Sequence, residues 1–356
     1  MRRRVAVVTD STAALPPGVA QRWGLTVVPL DVVVDGTRYA ESALPPGRLV
    51  AALHAGAKVS TSQPPPEAFA RAYARLASQG ASAVVSVHLS GELSGTVAAA
   101  HSAAERAPLP VHVVDSHSVA MGLGFAALAA AWTAAGVPDA ERLVAEAGSS
   151  IVPSGPGSPS LPSASGAARS SSLPSPPGAP RSSFPVRTPA RALLDLAALR
   201  RLPDLLRRQP PPGAEDVAAA ARDAAAATRV WFLVDSLEHL RRGGRLSAPA
   251  AALGTVLGLR PLLTVSDGTV VVGEKIRTRR AARERLEAVA VASAVAHARV
   301  RVAVHHLGEP DAADVLAGHL AAELGERVRE VVVADSGAVL GAHAGPGLLA
   351  VVIAPA

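Results

Sequence analysis

Over its first 148 residues the chain alternates short β-branched runs with alanine-rich stretches long enough for helices, and this alternation limits its fold more than any other feature. Val5–Val8, Thr26–Val34, Ala83–Leu89 and Val111–Val114 have the composition of strands. Pro16–Trp23, Pro46–His54, Pro66–Gln79, Ser94–Arg106 and Gly122–Ala135 read as helices, several with proline near the first turn, where a missing N–H costs nothing. Strands separated by helices join through crossovers into a parallel sheet, so a Rossmann-like N-terminal α/β domain is expected. In such sheets ligands sit beyond the carboxyl ends of the strands. The polar loops expected there are Asp10-Ser11-Thr12, Ser60-Thr61-Ser62-Gln63, Ser90 through Gly95, and Asp115-Ser116-His117-Ser118, all rich in hydroxyls.

The pattern changes twice further along. From Pro153 to Pro189, 21 of 37 residues are proline or serine and none is acidic, a composition that cannot bury a core. Arg191–Gln209 follows as a short basic amphipathic helix, read first as lying on the protein's own surface and second as a membrane contact. Beyond Gly213 a helix precedes strands at Arg229–Val234, Pro261–Val265, Val270–Val272, Arg299–Val304, Arg329–Val333 and Leu348–Ile353. Ser266-Asp267-Gly268-Thr269 is a hairpin turn between two of them, so an α+β second domain is expected. The division is therefore 1–148, an insertion at 149–212, and 213–356.

The pI of about 10.7 raises the question of nucleic acid. The insertion alone carries eight arginines against two aspartates, which accounts for the whole net charge of +6, and the rest of the chain is balanced. Without a basic stripe interleaved with aromatics, nucleic-acid binding is set aside. The absence of cysteine removes disulfides, thiolate metal sites and thiol nucleophiles. No run reaches the roughly 18 apolar residues of a membrane helix, and a cytoplasmic protein is expected.

Enzyme signatures fit poorly. Gly122-Leu123-Gly124-Phe125-Ala126-Ala127 matches the dinucleotide fingerprint, but a long loop separates it from its strand, and close helix packing explains the glycines better. No phosphate loop and no G-x-S-x-G elbow occurs, and His305-His306 on a strand point to opposite faces, with one of them expected at the surface. No metal, cofactor or catalytic set is assigned. Hydroxyls are more telling, because a carboxylate withdrawn from water needs several hydrogen bonds. Thr61, Ser62 and Ser94 fall at expected strand-to-helix junctions, although helix capping explains each of them singly. Arg241-Arg242-Gly243-Gly244-Arg245 and Gly341 through Gly347 add glycine loops beside an arginine and a histidine.

Several separated stretches then agree in order with one family. They are Val8-Thr9-Asp10-Ser11-Thr12, Val28-Pro29-Leu30, Thr61-Ser62-Gln63-Pro64, Leu93-Ser94-Gly95-Thr96, Val114-Asp115-Ser116, Val234-Asp235-Ser236-Leu237, Gly243-Gly244-Arg245-Leu246-Ser247, Arg260-Pro261-Leu262-Leu263, Lys275-Ile276-Arg277-Thr278 and His343-Ala344-Gly345-Pro346-Gly347. The chain resembles the DegV family of bacterial fatty-acid-binding proteins everywhere except about 149–212. The resemblance implies a lipid tunnel between the two domains, and a carrier that presents its fatty acid to a separate ATP-dependent fatty acid kinase. It implies that Thr61 and Ser94 bind the carboxylate, that Arg245 and His343 approach from the second domain, and that Ser62 accompanies them. A monomer is expected. The insertion departs from the family pattern, and kinase docking, transient contact with an anionic membrane and simple linkage all stay open for it. An enzyme using Ser94 or His343 on a small acyl or phosphorylated substrate is the alternative.

Overall fold

The computed structural model describes residues 4–137, 211–246 and 260–356. The Pro/Ser-rich stretch, the expected basic helix at Arg191–Gln209 and Ser247 lie outside them. A four-stranded parallel sheet runs in the order β2-β1-β6-β7, formed by β1 (Val5–Asp10), β2 (Thr26–Val28), β6 (Ala83–His88) and β7 (Val111–Asp115). The parallel expectation holds for these strands. Thr26–Val34 is not one strand, however. Pro29 has no N–H for a ladder, and the chain leaves the parallel sheet there to form β3 (Asp31–Val34) in a second sheet.

That second sheet is antiparallel and three-stranded, in the order β4-β3-β5, with β4 at Thr37–Ala40 and β5 at Val59–Ser62. Asp35 and Gly36 join β3 to β4 with φ of 46° and 82°, a two-residue hairpin loop that aspartate and glycine favour. The sheet changes the address of Thr61 and Ser62, which lie on β5 rather than in a loop at the end of a parallel strand.

Helices α2 (Pro46–His54), α3 (Pro66–Ser78), α4 (Thr96–Ala104) and α5 (Met121–Ala135) match their expected positions to within a few residues. In α3, Pro66 opens the first turn beside Glu67, and Phe69, Ala72, Tyr73 and Leu76 recur at helical spacing to form the buried face. The first helix, α1, is only Val19–Arg22, because Gly18 sits at a φ of 81° just ahead of it. Eleven residues of α5 are buried, including Gly122 and Gly124. A Cβ on Gly124 would lie 2.8 Å from the Ala13 carbonyl, and one on Gly122 would lie 2.1 Å from the Ser118 hydroxyl. These glycines serve close packing of α5.

The C-terminal half contains a six-stranded sheet in the order β10-β9-β8-β13-β11-β12. Its strands are β8 (Arg229–Leu233), β9 (Arg260–Ser266), β10 (Thr269–Ile276), β11 (Val300–His306), β12 (Val328–Asp335) and β13 (Leu349–Pro355), parallel only between β11 and β12. The expected hairpin is present, with Asp267 and Gly268 at φ of 49° and 76°. Helices α8 (Arg279–Val295) and α9 (Pro310–Leu324) pack on this sheet.

Two helices from the C-terminal half pack across onto the N-terminal elements. Helix α6 (Ala214–Ala227) lies against α5, β6 and β7, and α10 (Gly337–Ala344) lies against α2, β3 and β5, while the short α7 (Glu238–Gly243) contacts α10. One apolar core consequently runs through both halves, from Val85 and Leu123 to Phe232 and Val352. Among the described residues no helix is long and apolar enough to cross a membrane.

Candidate functional site

A cavity of about 780 Å³, its mouth included, opens between the two halves. Most of its wall is apolar, with Leu30, Leu89 and Leu93 from the N-terminal half facing Val230, Phe232 and Leu348 from the other. Its polar lining consists of Thr61, Ser94, Arg245, His305, Ser336 and His343.

Four of these were expected, and local structure brings them together. Thr61 projects from β5, and its hydroxyl pairs with Nε2 of His343, 282 positions away, at 2.7 Å. His343 is in the last turn of α10, so the stretch read as a glycine loop is helical as far as Ala344. Arg245 follows Gly244, which ends α7 in the left-handed conformation with a φ of 69°. Its Nε donates to the Leu93 carbonyl at 3.0 Å and its guanidinium also donates to the Gly243 carbonyl. The next residue, Ser94, turns its hydroxyl to Thr96 at 2.8 Å. Neither hydroxyl caps a helix. Pro65 precedes α3 and Gly95 precedes α4 at the cap positions, and neither makes a side-chain cap bond. Ser62, the neighbour of Thr61 on a pleated strand, is absent from the cavity wall, and its buried hydroxyl makes no hydrogen bond.

Two glycines of these stretches stand against histidine rings. A Cβ on Gly243 would sit 2.5 Å from Nδ1 of His343, and one on Gly345 would sit 2.4 Å from the His239 ring. They make room for histidine rings. Burial, then the nearby Arg245 charge, pushes His343 down to about 4, so near neutrality it is uncharged and Arg245 is the cation of the wall. Among the described residues no carboxylate lines the cavity. Two of the five Arg245 N–H groups are engaged as described, and the fork keeps capacity for an anion.

His305 and Ser336 were not expected in the wall. His305 is fully buried and accepts the Met121 N–H at 3.2 Å through Nε2, and His306 has only 12% of its side chain exposed, so neither is the surface residue expected. Burial pushes His305 to about 4. A histidine with a folded pKa below its unfolded value takes its proton first in the unfolded chain. Its contribution is complete above about pH 6.5 and is lost as pH falls towards 4, by about 3 kcal/mol for this residue. Urea unfolding at pH 7 and pH 4 should show that loss in the native chain relative to His305→Gln, and equal pH dependence in both would contradict it.

The structure also contains a chain of groups that resembles a hydrolase triad. The Tyr73 hydroxyl meets Ser86 at 2.9 Å, Ser86 meets His88 Nε2 at 2.7 Å, and His88 Nδ1 meets Asp10 Oδ2 at 3.0 Å. Asp10, Ser86, His88 and Tyr73 have no exposed surface, and Ser86 lies mid-strand on β6. A substrate has no route to that serine. The chain is a structural tie between β1, β6 and α3.

Sequence and structure comparisons agree with this architecture. The model of the family described as "Uncharacterised protein, DegV family" matches residues 4–147 and 212–356. The DegV domain-containing protein SCO2569 of Streptomyces coelicolor is 38% identical over 354 residues, covering 99% of each chain. Rv2417c of Mycobacterium tuberculosis is 30% identical, covering 98% of this chain and 96% of its own. Among solved structures, a fatty-acid-binding DegV family protein from Thermus thermophilus superposes with a TM-score of 0.71 at 30% identity, covering 99% of this chain and 100% of its own. DegV of Bacillus subtilis, a fatty acid binding protein, gives 0.70 at 26% identity with the same coverage. With both halves matched and full-length relatives at this level of identity, the chain belongs to the DegV family.

Proposed function

We propose that this protein binds a long-chain fatty acid, with its carboxylate received by Thr61, Ser94, Arg245 and His343 and its acyl chain along the apolar wall. The observation that carries this reading is the meeting of those four residues in a mostly apolar cavity with no carboxylate among its described lining residues. The division of labour is physically sound. Each methylene moved out of water contributes about 0.8 kcal/mol without needing a polar partner, while the hydroxyls and the guanidinium fix the head group. The Thermus thermophilus and Bacillus subtilis relatives bind fatty acids, which supports the same ligand class here.

The protein acts as a carrier and leaves its ligand unchanged. Supporting this, the Ser86-His88-Asp10 chain is sealed, and the one hydroxyl–imidazole pair in the cavity, Thr61 with His343, has no carboxylate among the described lining residues to orient its histidine. The bound acid is then presented to a separate ATP-dependent fatty acid kinase, as the family resemblance implies. Mass spectrometry of lipid extracted from purified protein tests the reading. Stoichiometric fatty acid is expected, and a lipid-free protein that by itself turns over an acyl substrate would overturn it in favour of an enzyme.

A further inference from the structure

Helix α10 carries His343 into the cavity from the C-terminal half, yet both of its ends are fastened to the three-stranded sheet of the N-terminal half. At the C-terminal end the fastening is the Thr61–His343 pair on β5. At the other end it is Glu41, in the single 3-10 turn (Glu41–Ala43) that follows β4 directly. The Val339 N–H, in the first turn of α10, donates to Glu41 Oε1 at 2.7 Å across 298 positions. A Cβ on Gly337 would lie 2.6 Å from the same oxygen, so the helix start is shaped around this carboxyl group. Gly337 also has a φ of 80°, a conformation that glycine adopts without strain.

Glu41 is itself held in place. Its N–H donates to the Leu30 carbonyl at 3.0 Å, and the Leu30 N–H donates to the Ser11 hydroxyl at 3.0 Å. Leu30 belongs to the cavity wall. The second carboxyl oxygen, Oε2, is buried near the Ser11 hydroxyl without a hydrogen bond of good geometry. Burial pushes its carboxyl group above the usual carboxylate range, opposed by Ser11 and by the Val339 N–H. An acidic group at a helix N-terminus also satisfies an otherwise orphaned N–H and complements the helix dipole.

We infer that Glu41 is a positioning residue for the carboxylate site, fixing α10 along its axis so that His343 reaches Thr61 and faces the ligand. Val339 and His343 are four residues apart, about 6 Å of rise, so movement at the braced end is transmitted through little more than one rigid turn. Strand β5 presents Thr61, the turn after β4 presents Glu41, and β3 lies between them. The sheet thus acts as a template that sets the length and direction of the helix. This inference rests on the fatty-acid reading of the cavity for its consequence in binding, though not for its structural content.

The test separates placement from charge with three substitutions. Glu41→Gln keeps an oxygen where Oε1 stands but removes the charge. Glu41→Asp keeps the charge but withdraws the carboxyl group by one methylene, and Glu41→Ala removes both. Each is measured for palmitate dissociation constant and for the imidazole nitrogen resonances of His343 in the ligand-free protein, with urea unfolding as a check of folding. About tenfold weaker palmitate binding and shifted His343 resonances are expected for the aspartate and alanine variants. The glutamine variant should remain within about twofold of the native protein in binding and retain its resonances. Native His343 resonances and native affinity in Glu41→Asp, or failure of Glu41→Gln to rescue both readouts, would overturn the inference. The resonances need no ligand, so a native protein that binds no palmitate would defeat the functional reading while the brace was still tested.

Discussion

Thr61→Val combined with Ser94→Ala is expected to weaken fatty-acid binding by about two to four orders of magnitude. Each substitution removes a hydrogen-bond donor to a charged group, worth about 1.5–3 kcal/mol. The full sum is an upper bound, because both donors serve one anion and their effects need not add. Thr61→Val nearly preserves shape, so the acyl path should be unaltered. It also leaves Nε2 of His343 without the hydroxyl partner it has in the free protein. Ser94→Ala removes a hydroxyl that bonds only Thr96 among the described residues, which predicts little loss of stability. Calorimetric titration with palmitate, alongside urea unfolding, checks the pair. Unchanged affinity in the double variant would refute the carboxylate assignment. Ser62→Ala provides the internal contrast, with affinity expected to stay native because Ser62 is outside the cavity wall.

Asp10→Ala should cost about 3–5 kcal/mol of folding stability, the largest structural effect expected of any single change discussed, since it breaks a buried charged network by removing one member. The Asp10 carboxylate receives the Thr12 N–H at 3.0 Å, the Thr12 hydroxyl at 2.5 Å, the Leu89 N–H at 3.1 Å and His88 Nδ1 at 3.0 Å. All of these groups are sealed from solvent, so none can turn to water when the carboxylate is removed. Because Leu89 begins the loop that ends in Ser94, affinity for fatty acid should fall as well. Urea denaturation gives the first quantity directly, and a loss below about 1 kcal/mol would show that the network contributes little.

The same aspartate shows how much of the site the sequence disclosed. Asp10-Ser11-Thr12 stood among the hydroxyl-rich loops expected around a ligand, and the chain does turn there at the end of β1. Its side chains nevertheless point inward, and Asp10 and Thr12 have no exposed surface. Loop chemistry indicates that polar groups gather at a strand end without indicating which of them bond each other and which remain for a ligand. The Asp35-Gly36 hairpin is legible in the residue types, since a two-residue turn of this type needs positive φ at both positions, and it is what a single strand over Thr26–Val34 leaves out. The hairpin sets β4, and with it Glu41, on the other side of β3 from β5, the strand that carries Thr61.

What the sequence by itself determined were the properties set by near neighbours along the chain. Strand and helix periods, the parallel sheet, the Asp267-Gly268 turn and the packing role of Gly122 and Gly124 all depend on residues a few positions apart, whose spacing fixes which face they share. Tertiary structure alone decided that Thr61 meets His343 at a separation of 282 residues, that Arg245 holds the Leu93 carbonyl, and that Glu41 braces Val339 at a separation of 298. These pairings depend on how a three-stranded sheet and a helix from the far end of the chain pack against each other. Local sequence carries no record of that distance, because the free energy that brings the partners together comes from the shared apolar core and not from the residues of the site.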